Sequence, residues 1–207
     1  AVIEVANWLK KAGWSVPVRG LFEHPTIAGL STLITRADNS DNAAVDASQP
    51  LPDGPLPLSA MQRWFLSHNP PVPNHFTQSL VLECHEDIPP ADLHTALTRA
   101  LSPHAVFKLC FSKRESGWQQ TLRSDQHAPL LAWIEASANE TITALATKLR
   151  RQLSLTHGPL IGAALTGRHL ILIAHHFVVD GVSWRLLLDS LARELTTPGA
   201  ASASSAT

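Results

Sequence analysis

Two adjacent histidines, His175 and His176, follow a short apolar run and are the residues in this sequence best suited to chemistry. Asp180 and Gly181 come directly after the three residues that follow His176. Histidine can take up and release a proton near neutral pH, because its unperturbed pKa is about 6.5. A histidine pair that only ends a strand is the commoner arrangement, but the Asp-Gly at this offset favours a functional site.

The elements on either side of the pair would hold it at the edge of a cleft. Residues 170–174 form a short apolar run, and residues 184–195 have apolar positions at helical spacing. The pattern predicts a strand, a tight turn and a helix. In an extended chain, His175 and His176 would point to opposite sides.

The string His-His-Phe-Val-Val-Asp-Gly-Val-Ser-Trp-Arg, residues 175–185, resembles the HHxxxDG signature of the condensation superfamily in non-ribosomal peptide synthetases. Its continuation, Gly-Val-Ser-Trp, is similar to the epimerization branch, whereas amide-forming domains more often place an aromatic residue after the glycine. Residues 58–65, Leu-Ser-Ala-Met-Gln-Arg-Trp-Phe, resemble the opening motif of epimerization domains. Residues 74–79 resemble the next segment of that family, with Thr77 where asparagine is usual.

Two further segments extend the resemblance. Residues 104–111 are similar to the family segment in which a histidine precedes two arginines, and here Lys108 and Cys110 stand in their places. Residues 12–30 resemble the carboxy-terminal half of a peptidyl carrier domain. By the spacing of that family, the serine that bears phosphopantetheine would lie upstream of Ala1.

The resemblance implies an epimerization domain, which removes the α-proton of an L-aminoacyl or L-peptidyl thioester and returns a proton to the other face. It implies that His176 is one of the proton-transfer groups and that His175 packs or orients. Asp180 is expected to form a buried ion pair with Lys108, which keeps the charge but lacks the bidentate fork of arginine. Gly181 is expected to let the backbone approach the substrate.

Two further residues, which follow Gly181 and Val182 in the sequence, complete the candidate site. Ser183 and Trp184 are candidates for the lining of the cleft. For Trp184, a core position that anchors the following helix is the alternative.

Strand and helix patterns mix along the chain and include hairpins, which favours an α+β fold. Helical spacing is found at 1–12, 25–34, 57–66, 89–101, 142–153 and 184–195, and strand patterns at 78–84, 106–111, 118–122, 161–165 and 169–174. The resemblance implies a chloramphenicol-acetyltransferase-like lobe, a mixed sheet with helices, preceded by a partial helical carrier domain. We therefore expect the carrier part in residues 1–36, a polar linker in 37–55 and the amino-terminal lobe of an epimerization domain in 56–207.

Composition narrows the classes of partner. The chain has 207 residues and a net charge of −1, so its charge favours neither nucleic acid nor an anionic membrane. No apolar run approaches the roughly 20 residues that span a bilayer, and no signal peptide is visible.

Cys84 and Cys110 lie in apolar runs and are expected to be buried free thiols in a reducing, cytoplasmic setting. The scattered histidines lack ligand spacing, so no metal site is expected.

The resemblance also implies partners and one cofactor. The substrate would arrive on the 4′-phosphopantetheine of a carrier domain, and neighbouring synthetase modules would supply that carrier. In this family a glutamate in the carboxy-terminal lobe faces the histidine, so the fragment alone is expected to be inactive. Two alternatives stay open: a condensation domain that forms amide bonds, and a non-catalytic carrier-docking module, which Lys108 and Cys110 leave possible.

Overall fold

The structure of the chain, a computed structural model, describes residues 2–36, 54–115, 117–123, 129–137 and 140–196. The chain divides into two compact units, residues 1–51 and residues 52–207. Most of the expected linker lies outside the described residues. The domain limits, and the assignment of the first unit to a carrier domain, stay predictions.

Short elements build the first unit: α1 (Val2–Lys11), β1 (Trp14–Ser15), α2 (Val18–Glu23), α3 (Ile27–Ser31) and β2 (Thr35–Arg36). The strands β1 and β2 pair antiparallel. The hydroxyl of Thr26 accepts a hydrogen bond from the backbone N–H of Gly29 and so caps α3. Helices α1 and α3 were predicted, but α2 was not, because its six residues are too few to show a helical period.

The second unit contains the helices α4 (Ala60–Ser67), α5 (Pro90–Leu101), α6 (Ile142–Gln152) and α7 (Gly181–Thr196). Its strands are β3 (Thr77–Glu83), β4 (Leu109–Arg114), β5 (Gly117–Leu122), β6 (Leu131–Glu135), β7 (Ile161–Thr166) and β8 (His169–His175). Ser59 and Gln62 form a capping box at the start of α4. The predicted combination of a mixed sheet with helices is confirmed.

The sheet that positions the histidines has the strand order β3-β8-β7-β6. Strand β8 pairs antiparallel with both β3 and β7, and β7 pairs parallel with β6. Leu170 and Leu172 pack in the same core as α5 and α7, while Ile171 and Ile173 pack in the core with α6. Because both faces of β8 are covered, its sequence is a continuous apolar run rather than an alternating one.

Strands β4 and β5 form a separate hairpin. The strand patterns at 106–111 and 118–122 predicted both strands, but residues 105–108 form a 3-10 helix, so the first strand begins at Leu109. Strand β6 was not predicted. Its five residues, Leu-Ala-Trp-Ile-Glu, lack a clear alternation, and its parallel pairing with β7 joins positions about 30 residues apart in the chain. Such non-local pairing leaves little signal in the local sequence.

Both cysteines are free thiols, as expected, although each is half-buried rather than buried. Burial raises the pKa of the Cys110 thiol, and the nearby Arg123 guanidinium partly opposes this effect. Across the described ranges, no helix combines the length and the apolar character needed to cross a membrane.

Candidate active site

The predicted strand, turn and helix around the histidine pair are confirmed. Strand β8 ends at His175 and helix α7 begins at Gly181. Within the connecting turn, Val178 and Val179 are buried in the core with only 6% and 3% of their surface exposed. These two anchors hold the turn against the sheet, so the backbone that carries His176 has little freedom.

His175 is buried, with 1% of its surface exposed. Its Nε2 lies 2.9 Å from the carbonyl oxygen of Pro73, and its Nδ1 accepts a hydrogen bond of 3.1 Å from the backbone N–H of Phe177. The carbonyl can only accept, so the proton of the neutral ring is on Nε2. Burial lowers the pKa of His175 to about 4, against the opposing effect of the Pro73 bond. A neutral, fully partnered ring suits the packing and orienting role expected of it.

His176 is half-buried and lies just beyond the end of β8. Its Nδ1 is 2.8 Å from the carbonyl oxygen of Val179, and its Nε2 is 3.1 Å from Nε2 of Gln78. Its backbone N–H donates to the carbonyl of Phe76, and the two rings lie 4.9 Å apart. Both the backbone and the imidazole of His176 are therefore held in one orientation.

A cavity of about 300 Å³ opens beside His176. Residues of α4 line one side and residues 176–180 line the other. Met61 and Trp64 are 66% and 58% exposed, which is unusual for large apolar side chains, and both belong to this lining. The cavity thus joins a mainly apolar wall to an imidazole, an arrangement typical of small-molecule sites.

The expected buried ion pair between Asp180 and Lys108 is wrong. Both residues are exposed. The carboxylate of Asp180 instead accepts hydrogen bonds of 2.7 Å from the backbone N–H and from the hydroxyl of Ser183. These bonds lower the pKa of Asp180. Asp180 therefore acts as a cap at the start of α7, where a carboxylate also complements the helix dipole.

The remaining expected site residues divide between cavity and core. Ser183 lines the cavity. Trp184 is a core residue, with 6% of its surface exposed, so its alternative position is the one found. A Cβ atom at Gly181 would meet nothing within 4 Å, so packing among the described residues does not require glycine there. Its contact with a substrate stays a prediction.

Sequence reasoning missed Gln78 as a partner of His176. The amide of Gln78 contacts Nε2 of His176 and also Nε1 of Trp184, at 3.1 and 2.9 Å. Gln78 lies in the motif of residues 74–79, but 98 residues separate it from His176. The antiparallel register of β3 with β8, which pairs Gln78 with Ala174, brings the two together, and that register is not readable from either segment alone.

No cluster of three or more histidine, cysteine, aspartate or glutamate side chains suitable for a metal ion occurs within the part of the chain that the structure describes.

Comparison with curated proteins finds large peptide synthetases. The chain is 34% identical over 202 residues to chondramide synthase cmdD of Chondromyces crocatus, covering 91% of this chain and 5% of that protein. It is 32% identical over 202 residues to a linear gramicidin synthase protein of Brevibacillus parabrevis, covering 91% of this chain and 4% of that protein. The chain therefore spans a small fraction of the length of these relatives.

Solved structures share the fold. The epimerization domain from the third module of tyrocidine synthetase B matches with a TM-score of 0.63 at 23% identity, over 72% of this chain and 36% of that one. The starter condensation domain of rhizomide synthetase matches with a TM-score of 0.53 at 20% identity, over 69% and 38%. The family model described as the condensation domain matches residues 53–196. With the histidine motif at the edge of a cavity in the matched region, the chain belongs to the condensation-domain family of non-ribosomal peptide synthetases.

Proposed function

We propose that this chain is a synthetase segment made of the end of a peptidyl carrier domain, a linker and the amino-terminal lobe of an epimerization domain. In this proposal, the complete domain converts an L-aminoacyl or L-peptidyl thioester to the D form. Within the family, the motifs at residues 58–65 and 181–184 favour this branch. The observation that supports a catalytic role for the complete domain is the imidazole of His176 at the wall of an apolar cavity.

The chemistry assigned to His176 is proton transfer at the α-carbon. Nδ1 of His176 donates to the carbonyl of Val179, which leaves the lone pair of the neutral ring on Nε2. That atom can accept the α-proton of a thioester whose carbonyl takes up the resulting negative charge. His175 is not placed for this role, because its ring is 1% exposed and does not line the cavity.

The thioester is expected to reach His176 on the 4′-phosphopantetheine arm of a carrier domain. The cavity has the volume typical of small-molecule sites. Phe76 and Phe177 line it together with Met61 and Trp64, and these apolar surfaces suit the aliphatic parts of such an arm. The arm belongs to the substrate, and the carrier domain of the same or a neighbouring module is the partner that presents it.

Inversion at the α-carbon needs a second acid or base on the opposite face. The ionisable side chains that line this cavity in the described structure are His176 and Asp180. They belong to one turn, and Ser183 holds the carboxylate of Asp180. Asp189 and Glu194 lie on α7 and do not line this cavity. We therefore assign the second group to the carboxy-terminal lobe of the same domain and expect this chain alone to lack epimerase activity.

Amide-bond formation is the second candidate, favoured by the match to the condensation-domain family. In that reaction, His176 would assist the attack of an amine on a thioester instead of removing an α-proton. The same cavity and imidazole would serve both reactions. The identity of the atom from which the proton comes is therefore what distinguishes them.

The two candidates can be separated in one assay with the intact synthetase that contains this chain. A carrier domain loaded with an L-aminoacyl thioester is incubated in deuterated buffer, with and without a second carrier that presents an acceptor amine. Epimerization predicts deuterium at the α-carbon and D-aminoacyl product without the acceptor. New amide bond that forms only with the acceptor, without α-deuterium, would replace our proposal by condensation. Absence of both reactions would favour a docking module.

A further inference from the structure

Both ring nitrogens of His176 already have partners in this structure. The carbonyl oxygen of Val179, 2.8 Å from Nδ1, can only accept, so Nδ1 carries the proton. The other nitrogen, Nε2, then holds the lone pair. Nε2 of Gln78 lies 3.1 Å away and donates an amide N–H to it. The nitrogen that must receive the α-proton, Nε2 of His176, therefore already accepts a hydrogen bond from the uncharged amide of Gln78.

Trp184 determines which way the Gln78 amide faces. The indole N–H is a donor only, and it lies 2.9 Å from Oε1 of Gln78. Rotating the amide would bring its NH₂ group against the indole N–H, and two donors would then face each other. Trp184 is buried in the core at the start of α7, with 6% of its surface exposed, so its ring cannot easily move away.

The carbonyl of Val179 can only accept and the indole N–H of Trp184 can only donate, so the direction of each hydrogen bond between them is fixed. Trp184 donates to Gln78, Gln78 donates to His176, and His176 donates to Val179. We infer that Gln78, oriented by Trp184, is a positioning residue that holds the imidazole of His176 in the tautomer with its lone pair on Nε2. A second proton on Nε2 would face the amide NH₂ group, so the Gln78 contact must be released when His176 acts as a base.

His175 and Asp180 each interact electrostatically with His176. Asp180 lies on the turn before α7, and its carboxylate accepts hydrogen bonds from Ser183. His175 is the adjacent residue, and its burial keeps it neutral near pH 7. The polar groups that β3 and α7 present directly to the ring network, Gln78 and Trp184, carry no charge. A change in the titration of His176 on altering Gln78 or Trp184 would therefore report the hydrogen-bond network.

This inference rests on the proposed role of His176 in proton transfer, but its test does not use catalysis. The full chain is prepared with ¹⁵N-labelled histidine, and the His176 ring signals are identified by their loss in His176→Gln. We expect a protonated Nδ1 and a bare Nε2 for neutral His176. Observation of the opposite tautomer would overturn the inference without any further variant.

The variants test the two donors separately. In Gln78→Glu, the carboxylate can accept from both Trp184 and a protonated His176, so the midpoint of His176 titration should rise by about one pH unit or more. In Trp184→Phe, the freed Gln78 amide can turn its oxygen to the imidazole, and a smaller rise is expected. Trp133→Phe, the same change on β6 beside His94, is the control and should leave the midpoint unchanged.

An unchanged midpoint in folded Gln78→Glu would refute the positioning role of Gln78, and Trp184→Phe gives an independent test if that variant does not fold. An equal rise in Trp133→Phe would refute the specific role of Trp184. The expected titrations together with absent α-proton exchange in the intact synthetase would count against the proposed function alone. Exchange with unaltered titrations would count against this inference alone.

Discussion

The buried ring of His175 should make the second unit sensitive to mild acid. Its pKa is lowered to about 4 in the folded chain, whereas it returns to its ordinary value of 6.5 on unfolding. Between these two values the unfolded chain binds more protons than the folded chain. The contribution of His175 to the free energy of unfolding is therefore fully present above pH 6.5, and it is lost as the pH is lowered towards 4.

The size of this loss follows from the two pKa values. A difference of about 2.5 pH units at about 1.36 kcal/mol per unit corresponds to about 3 kcal/mol, with about 2 kcal/mol lost at pH 5. A domain of this size is typically stable by about 5 to 15 kcal/mol, so such a loss is easily measured. The physical cause is the cost of placing a charged imidazolium in a site with 1% of its surface exposed.

The assay is urea unfolding of the chain, followed by tryptophan fluorescence at several pH values between 4 and 7.5. His175→Gln removes the buried imidazole, and His176→Gln removes its half-buried neighbour as the matched control. We expect a lower stability of His175→Gln at pH 7.5, because the contacts with Pro73 and Phe177 are disturbed, but a flatter dependence on pH. Equal pH dependence in wild type and His175→Gln would refute the reasoning, as would a flattening confined to His176→Gln.

Further predictions concern the cap of α7 and the sheet. Asp180→Ala should cost about 1 kcal/mol of unfolding free energy, the usual effect of losing an N-cap, whereas Asp180→Asn should cost a few tenths. Lys108→Met should change the free energy of unfolding by less than about 0.5 kcal/mol, because Lys108 is exposed. A large loss of stability in thermal or urea unfolding would instead support an ion pair of Lys108 with Asp180. Leu172→Ala, at a fully buried position of β8, should cost about 3 kcal/mol, while Leu186→Ala, at a 55% exposed position of α7, should cost less than about 0.5 kcal/mol in the same experiment.

The elements around the histidines were predictable because their patterns are local. Residues 170–174 are continuously apolar, since helices cover both faces of β8, and α7 shows helical spacing over 16 residues. The start of α4 also has a local cause, since Ser59 stands three residues before Gln62 and the two form a capping box. Each of these predictions depended on residues within a few positions of one another.

The contacts across the site were not predictable in the same way. Gln78 reaches His176 only through strand pairing over 98 residues, and β6 depends on a parallel partner. The ion pair of Asp180 was expected from family resemblance, and it is wrong because a nearer partner competes. Ser183, three residues after Asp180, satisfies the carboxylate as an N-cap does, and that spacing was already present in the sequence.

The most direct measurement of the central claim is α-hydrogen exchange on a loaded aminoacyl carrier in deuterated water. It is run with the intact synthetase and with this chain alone, in wild type, His176→Ala and His169→Ala, the last being an exposed histidine at the start of the same strand. We predict exchange in the intact wild-type protein and in His169→Ala, none above the free-thioester background in His176→Ala, and none for the chain alone. Undiminished exchange in a folded His176→Ala protein would contradict the role assigned to His176.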